Sequence, residues 1–176
     1  MFKNKGKLGT VQNQMKNYRD YTRILTLILI FGSLAWNLLI WFFPVAVHIL
    51  PVKLSILWFS LFAPICHHLP ESTFQYHSVF LPVCIRCSSI YFSFFVGVSI
   101  YYLLNHFKII VPEISFQTLI IGIVFMTIDV LLNGLGLKPP FWSVKIITGI
   151  FFGLTSGWFL MQSLYYQSLK RFSEYV

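Results

Sequence analysis

Acidic residues are scarce in this chain, with five Asp and Glu among 176 residues, and charged residues of both signs make up only 10%. A soluble domain of this length carries charge on about a quarter of its residues. Here 57% of the residues are hydrophobic and 19% are aromatic, which is more apolar surface than such a domain can bury. The composition therefore excludes an ordinary soluble fold and predicts an integral membrane protein with one membrane domain.

Apolar stretches with few or no charges are long enough to cross a bilayer at about four places. A helical crossing needs about 20 mainly apolar residues, and we predict spans at about 24–43, 83–107, 114–132 and 143–169. The shorter stretch 52–65 favours a re-entrant or interfacial segment, although a fifth span there would distribute the cations equally well. The predicted fold class is an all-α membrane protein, a helical bundle of about four transmembrane helices plus this short helix before the Cys/His loop.

Basic residues are concentrated ahead of the first predicted span. The chain has 13 Lys and Arg and a formal net charge of +8, and residues 1–23 carry six of these cations. Such a cluster is typical of a cytoplasmic anchor, so we predict a multi-pass protein of the cell membrane with a cytoplasmic N-terminus rather than a nucleic-acid-binding protein. We expect 1–23 to be a loosely ordered basic segment and 24–176 to form a single helical membrane domain in contact with the lipid bilayer.

All three cysteines of the chain lie close to one pair of histidines. Cys66 is followed directly by His67, and Cys84 and Cys87 form a Cys-x-x-Cys unit. A Cys-x-x-Cys unit with a distant Cys and an adjacent His is the ligand set of a four-coordinate Cys₃His zinc site. Soft thiolates and imidazole favour zinc or another thiophilic metal such as cuprous copper. We therefore predict a metal site, most simply for zinc, with these four residues as ligands.

The same cysteines are compatible with redox chemistry. Pro82 is suited to the first turn of the following helix, which would set Cys84 and Cys87 on one helix face. The positive helix end and Arg86 would lower the pKa of the thiols, which helps metal binding and thiol reactivity equally. A membrane thiol–disulfide oxidoreductase that uses Cys84–Cys87, with Cys66 as the resolving thiol, is therefore an alternative. Inert packing of the thiols is a further alternative.

Asp129 lies inside the third predicted span, where an acidic side chain is costly and indicates a function or a partner. Consecutive spans alternate in direction, so the start of the second, the end of the third and the start of the fourth share one membrane face. Arg86 and Lys145 are the cations expected at that level, as ion-pair partners or neighbours of the metal ligands. Asp129 is also the candidate catalytic residue, because it could orient a ligand or act as a base on a metal-bound water.

Small residues recur at every fourth position in two of the predicted spans. The second carries Ser89, Ser93 and Gly97, and the fourth carries Gly149, Gly153 and Gly157. This spacing makes a flat groove on one face of a helix and lets two backbones approach closely. We predict that the two helices pack together, or that the glycine face docks a partner. In the second case the chain is a homo-oligomer or an accessory subunit of a larger membrane complex.

At these residues the chain resembles a family of small prokaryotic membrane proteins known as the domain of unknown function number two thousand and eighty-five. Three family stretches have counterparts here over roughly residues 60 to 155. They are Cys66-His67-His68-Leu69-Pro70-Glu71-Ser72-Thr73-Phe74, Pro82-Val83-Cys84-Ile85-Arg86-Cys87-Ser88-Ser89-Ile90-Tyr91, and Asp129-Val130 with Lys145-Ile146-Ile147-Thr148-Gly149. Ser72 and Lys145 stand where the family pattern has Arg. The resemblance implies a membrane protein in which these residues form one site, and it implies no particular reaction.

Overall fold

A computed structural model describes the backbone of residues 4–66, 70–109, 111–135 and 141–174, and the side chains of 20–66, 71–109, 111–135 and 141–166. Over these residues the chain is nearly all helical, as predicted. Its helices are α1 (Asn4–Ala46), α2 (Val52–Phe62), α3 (Ile85–His106), α4 (Phe116–Gly134) and α5 (Trp142–Glu174). A 3₁₀ turn at Pro70–Ser72 and a small antiparallel hairpin of β1 (Gln75–Tyr76) and β2 (Val79–Phe80) lie between α2 and α3.

Four helices in the described part of the chain are long and apolar enough to cross a membrane. The spanning stretches are Asp20–Ala46, Ile85–His106, Phe116–Gly134 and Trp142–Tyr166, each within a few residues of its predicted bounds. Helix α2 has only 11 residues, which gives it a length of about 16 Å, against a hydrocarbon core of about 30 Å. The four-span prediction is therefore confirmed, and α2 is the short helix expected before the Cys/His loop.

The expectation of a loosely ordered segment over 1–23 is wrong where the backbone is described, because α1 runs without a break from Asn4 to Ala46. No proline interrupts the chain before Pro44. Starting a helix is costly whereas extending one is not, so the transmembrane part of α1 provides a nucleus from which the polar residues continue the helix. From Asn4 onward, the basic segment is thus a helical extension of the first span.

Helices α3 and α5 pack closely, with backbone against backbone. A Cβ atom added at Gly149 would lie 2.9 Å from the carbonyl oxygen of Arg86, and one added at Gly157 would lie 2.6 Å from that of Phe94. Across the same contact, the Ser93 hydroxyl donates to the carbonyl of Gly149 at 3.3 Å. The predicted packing of the two small-residue faces is confirmed. Because α3 already covers the glycine face, the alternative of a partner subunit docking there is not supported.

Helices α1 and α4 lie on the outside of this pair. The Asn37 amide on α1 donates to the backbone carbonyl of Tyr91 on α3 at 3.1 Å, and Gly122 on α4 lies against Phe151 and Thr155 on α5. Many large apolar side chains on the outer helices are exposed, among them Phe31, Phe42, Ile121 and Phe125. Such a surface is suited to lipid, in agreement with a membrane protein that contacts the bilayer.

The loop between α2 and α3 crosses one end of the bundle. The Phe74 ring in this loop lies between Trp41 near the end of α1 and Trp142 at the start of α5, with ring centroids 6.4 Å and 5.4 Å away. The Trp142 indole also donates to the backbone carbonyl of Glu71 at 3.1 Å. These contacts bring the end of α1, the start of α5 and the loop to a common membrane face.

Candidate metal centre

Three thiols meet at this face. The Sγ atoms of Cys66, Cys84 and Cys87 all lie within 4.8 Å of one another, and all three cysteines are reduced. Sulfurs bound to one tetrahedral zinc ion at the usual bond length stand about 3.8 Å apart. The three atoms therefore need only a small movement to bind a common ion.

The start of α3 positions two of the cysteines. Cys84 is the N-cap residue of α3, with φ −68° and ψ 162°, and Cys87 is the third residue of the helix. Pro82 precedes the helix, so the expectation that it occupies the first turn is wrong. The two thiols nevertheless meet, because side chains at the N-cap and the third helical position point toward each other, as they do in a capping box.

The end of α2 positions the third cysteine. The backbone N–H of Cys66 donates to the carbonyl of Phe62 at 3.1 Å, which extends the helical turn beyond the end of α2 and turns the side chain inward. Cys66 is only 6% exposed and packs with buried apolar residues of α1, α2 and the loop, which are Ile40, Phe62, Leu81 and Val83. Cys84 and Cys87 are half-buried at the edge of this apolar cluster.

The thiols interact with one another. The backbone N–H of Cys84 donates to the Sγ of Cys66 at 3.1 Å. A hydrogen bond between the Cys66 and Cys84 side chains, together with burial, raises the pKa of the Cys84 thiol above its ordinary value, although the side chain of Cys87 lowers it. These contributions outweigh the lowering of this pKa that was expected from the helix end and Arg86. At neutral pH Cys84 keeps its proton, and a metal ion would have to displace it.

Arg86 and Asp129 form an ion pair beside the thiols. Of the two cations named from the sequence, Arg86 is thus the one that pairs with Asp129. The second carboxylate oxygen of Asp129 accepts from the Asn133 amide at 3.0 Å. Because both oxygens are engaged and Asp129 is only 5% exposed, the geometry is that of an ion pair joining α3 to α4. A catalytic role for Asp129 stays a prediction.

Lys145 is buried near the start of α5. Its Nζ donates to the hydroxyl of Ser72 at 2.6 Å, and both side chains are more than nine-tenths buried. This bond ties the loop to α5 near the Trp142 contact. The sequence placed Ser72 in one of the family stretches but did not predict its bond to Lys145. Sequence reasoning did not identify Asn133, which stands one helical turn after Asp129 on α4.

The predicted histidine ligand, His67, lies outside the described residues, as does its neighbour His68. His77 is at the tip of the hairpin, where its backbone φ is 46° and its side chain is exposed. Its ring contacts Tyr76, and it is not part of the thiol cluster. Among the residues described, the ligand set consists of the three cysteines.

A four-span helical membrane protein with three thiols gathered at one face is the class that these features define. The chain belongs to the family described as "Predicted membrane protein (DUF2085)", whose model matches residues 66–159. It is also 30% identical over 122 residues to "Uncharacterized protein MJ1492" of Methanocaldococcus jannaschii, over 68% of this chain and 76% of that relative. No solved structure matches the chain. The family match begins at Cys66 and includes every residue of the thiol cluster and of the polar groups beside it.

Proposed function

We propose that this protein binds a zinc ion through Cys66, Cys84 and Cys87 at one membrane face, with His67 as the fourth ligand. One observation carries the proposal, which is the mutual approach of three reduced thiols from two separate parts of the chain to within 4.8 Å. Thiolate sulfurs and imidazole form the usual closed shell of a structural zinc ion. The bound ion would join the end of α2 to the start of α3.

The surroundings of the thiols support a bound ion. The partial positive charge at the N-terminus of α3 stabilises negative sulfurs at Cys84 and Cys87, and the backbone N–H of Cys84 already donates to the third sulfur. The apolar side chains around Cys66 exclude water, which strengthens electrostatic interactions between an ion and its ligands. The role we assign to the zinc ion is to fasten both ends of the loop that crosses the bundle.

The two alternative functions are less well supported. A thiol–disulfide oxidoreductase needs an accessible thiol of low pKa, whereas Cys66 is buried and the pKa of Cys84 is raised. An accessory subunit that docks through its glycine face would need that face open, whereas Gly149, Gly153 and Gly157 lie against α3. We therefore favour metal binding over both.

The proposed orientation follows from the span count. Helix α1 crosses the membrane and α2 is too short to cross, so the thiol cluster and the basic start of α1 lie at opposite faces. Six cations ahead of the predicted first span favour a cytoplasmic N-terminus, and we therefore propose that the thiol cluster lies on the outer side of the cell membrane. Burial would shield the thiols there from the oxidising surroundings.

Elemental analysis tests the proposal. The full chain is purified in detergent without chelator or nickel resin, beside a Cys84→Ser Cys87→Ser variant and a matched Ser89→Ala Ser93→Ala variant that leaves the thiols intact. We expect about one zinc per chain, retained in the serine-to-alanine control and lost in the cysteine variant. Folded wild-type protein without metal, even after incubation with zinc, would refute the proposal. An alkylation assay adds a second readout, because zinc should protect the thiols until a chelator is added.

A further inference from the structure

Lys145 is an unusual residue for its position. Lysine side chains normally keep the ammonium group in water, yet Lys145 is only 5% exposed. A buried charge is costly unless another charge compensates it. The partner that the structure provides is the neutral hydroxyl of Ser72, which satisfies one hydrogen-bond donor and no charge.

The carboxylate at the same level is already engaged. Asp129 pairs with Arg86 and accepts from Asn133, and in the part of the chain that the structure describes no carboxylate lies within ion-pair distance of the Lys145 Nζ. Glu71 is near enough to act on Lys145 electrostatically, but its side chain is exposed and therefore screened by water. Among the described residues, no carboxylate therefore forms an ion pair with Lys145.

The thiol cluster can supply the missing counter-charge. Lys145 and the cluster lie at the same end of the bundle, because a Cβ added at Gly149, one helical turn after Lys145, would lie 2.9 Å from the carbonyl oxygen of Arg86, which stands between Cys84 and Cys87 in the chain. Three thiolates and one divalent ion leave a single net negative charge, and a neutral histidine ligand does not change it. Arg86 and Asp129 cancel each other. With the metal ion bound, the charges of the ion, the three thiolates and Lys145 therefore sum to zero. Without the metal ion the thiols keep their protons, and Lys145 leaves one uncompensated positive charge.

From this balance we infer that Lys145 is the charge-compensating residue of the metal centre, stabilising the third thiolate through its positive charge rather than through its bond to Ser72. The inference rests on the proposed zinc site and deepens it, because it gives the site a preferred charge. It also gives the buried lysine opposite effects on the two states of the protein: Lys145 favours the metal-bound state and disfavours the metal-free state.

Four variants of the full chain test the inference in detergent. Lys145→Met removes the charge at similar volume, Lys145→Arg retains it, and Ser72→Ala removes the hydrogen bond while the charge stays. Lys108→Met is the control, because it removes an exposed cation at the opposite end of α3. Zinc affinity is measured by competition with a chromogenic chelator at one fixed pH. The melting temperature of each metal-free protein is measured beside it.

We expect Lys145→Met to weaken zinc binding by about 10- to 100-fold, the usual effect of losing a partner just outside the ligand shell. The other three variants should stay within about threefold of wild type, a loss of less than about 1 kcal/mol. The melting temperature of metal-free Lys145→Met should be equal to or higher than that of wild type, because an uncompensated buried charge has been removed. A purely structural lysine would lower it instead.

Four results would overturn the inference while leaving the zinc site intact. They are a lowered melting temperature of metal-free Lys145→Met, wild-type affinity in Lys145→Met, a loss in Lys145→Arg as large as in Lys145→Met, and a loss in Ser72→Ala of that size. In the last case the hydrogen bond between the loop and α5 would be the cause. A wild-type protein that binds no zinc would overturn the proposed function and this inference with it.

Discussion

Helix α3 is held by two different kinds of contact along its length. At its first turn it meets its neighbours through polar side chains, with Arg86 paired to Asp129 and two thiols beside Cys66. Farther along it meets α5 through backbone against backbone, where a Cβ added at Gly97 would lie 2.9 Å from the carbonyl oxygen of Leu154. The stability of the first region depends on polar side chains that pair with one another. The stability of the second depends on small side chains that let the two backbones approach. The first region should therefore be destabilised when a side chain is removed, and the second when one is added.

Removal of a partner at the polar end should have the largest effect on stability. Asp129→Leu leaves Arg86 charged and largely buried, and breaking a buried ion pair in this way costs about 3–5 kcal/mol. The free energy of unfolding, measured by helix loss on titration with a denaturing detergent, should fall by this amount. In the Arg86→Met Asp129→Leu double variant most of the loss should be recovered. Equal losses in the single and double variants would show that the charge left behind is not the cause.

Addition of one methyl group to the α3–α5 contact should have the next largest effect. At Gly153 a new Cβ would collide with the Ser93 hydroxyl and with the backbone carbonyl of Ile90, which cannot move without the helix. Overpacking of this kind costs about 1–3 kcal/mol, so Gly153→Ala should lower the melting temperature in detergent.

Gly32 provides the matched control for that substitution. It is a helical glycine on α1 with no atom within 4 Å of its added Cβ. Gly32→Ala should be neutral or stabilising by up to about 1 kcal/mol, since alanine favours a helix more than glycine does. If Gly153→Ala and Gly32→Ala changed the melting temperature equally, Gly153 would not be needed for the close packing of α3 on α5.

The smallest effect should be a difference in pH dependence between the metal-free and metal-bound proteins. In the metal-free protein the raised pKa of Cys84 means that the folded state holds this proton more tightly than the unfolded state. Its stabilising contribution is present below the thiol's ordinary pKa and is lost as the pH rises through the raised value. Zinc-bound protein should instead lose stability as the pH falls, because protons compete with the metal for the sulfurs. Melting curves of both forms between mildly acidic and alkaline pH would test this, and slopes of the same sign would contradict it.

Much of the fold could be predicted because the bilayer restricts the choices. A helix that crosses the hydrocarbon must be long and apolar, so four such stretches indicated the bundle and the 52–65 stretch was recognised as too short. The four-residue spacing of small side chains likewise predicted the α3–α5 contact. Charge patterns were less informative, since they did not distinguish four spans from five.

The parts that could not be predicted depend on contacts between distant residues. Nothing near Ser72 indicates a bond to Lys145, which is 73 residues farther along the chain. The choice of Arg86 as the partner of Asp129 depends on how α3 and α4 pack. The hairpin was missed because its turn residues, His77 and Ser78, adopt left-handed φ values that asparagine and glycine usually provide. The cysteine pattern did predict that the three thiols would lie together, because Cys84 and Cys87 are one helical turn apart at the start of α3 and the loop returns Cys66 to them from the end of α2.

The most direct test of the central claim is X-ray absorption at the zinc edge of protein purified with its native metal. We expect a first shell with about three sulfurs at about 2.3 Å and one nitrogen at about 2.0 Å, and no bound zinc in Cys84→Ser Cys87→Ser. A shell made only of nitrogen and oxygen would mean that bound zinc sits elsewhere, and it would contradict the assignment of the three thiols as the metal centre.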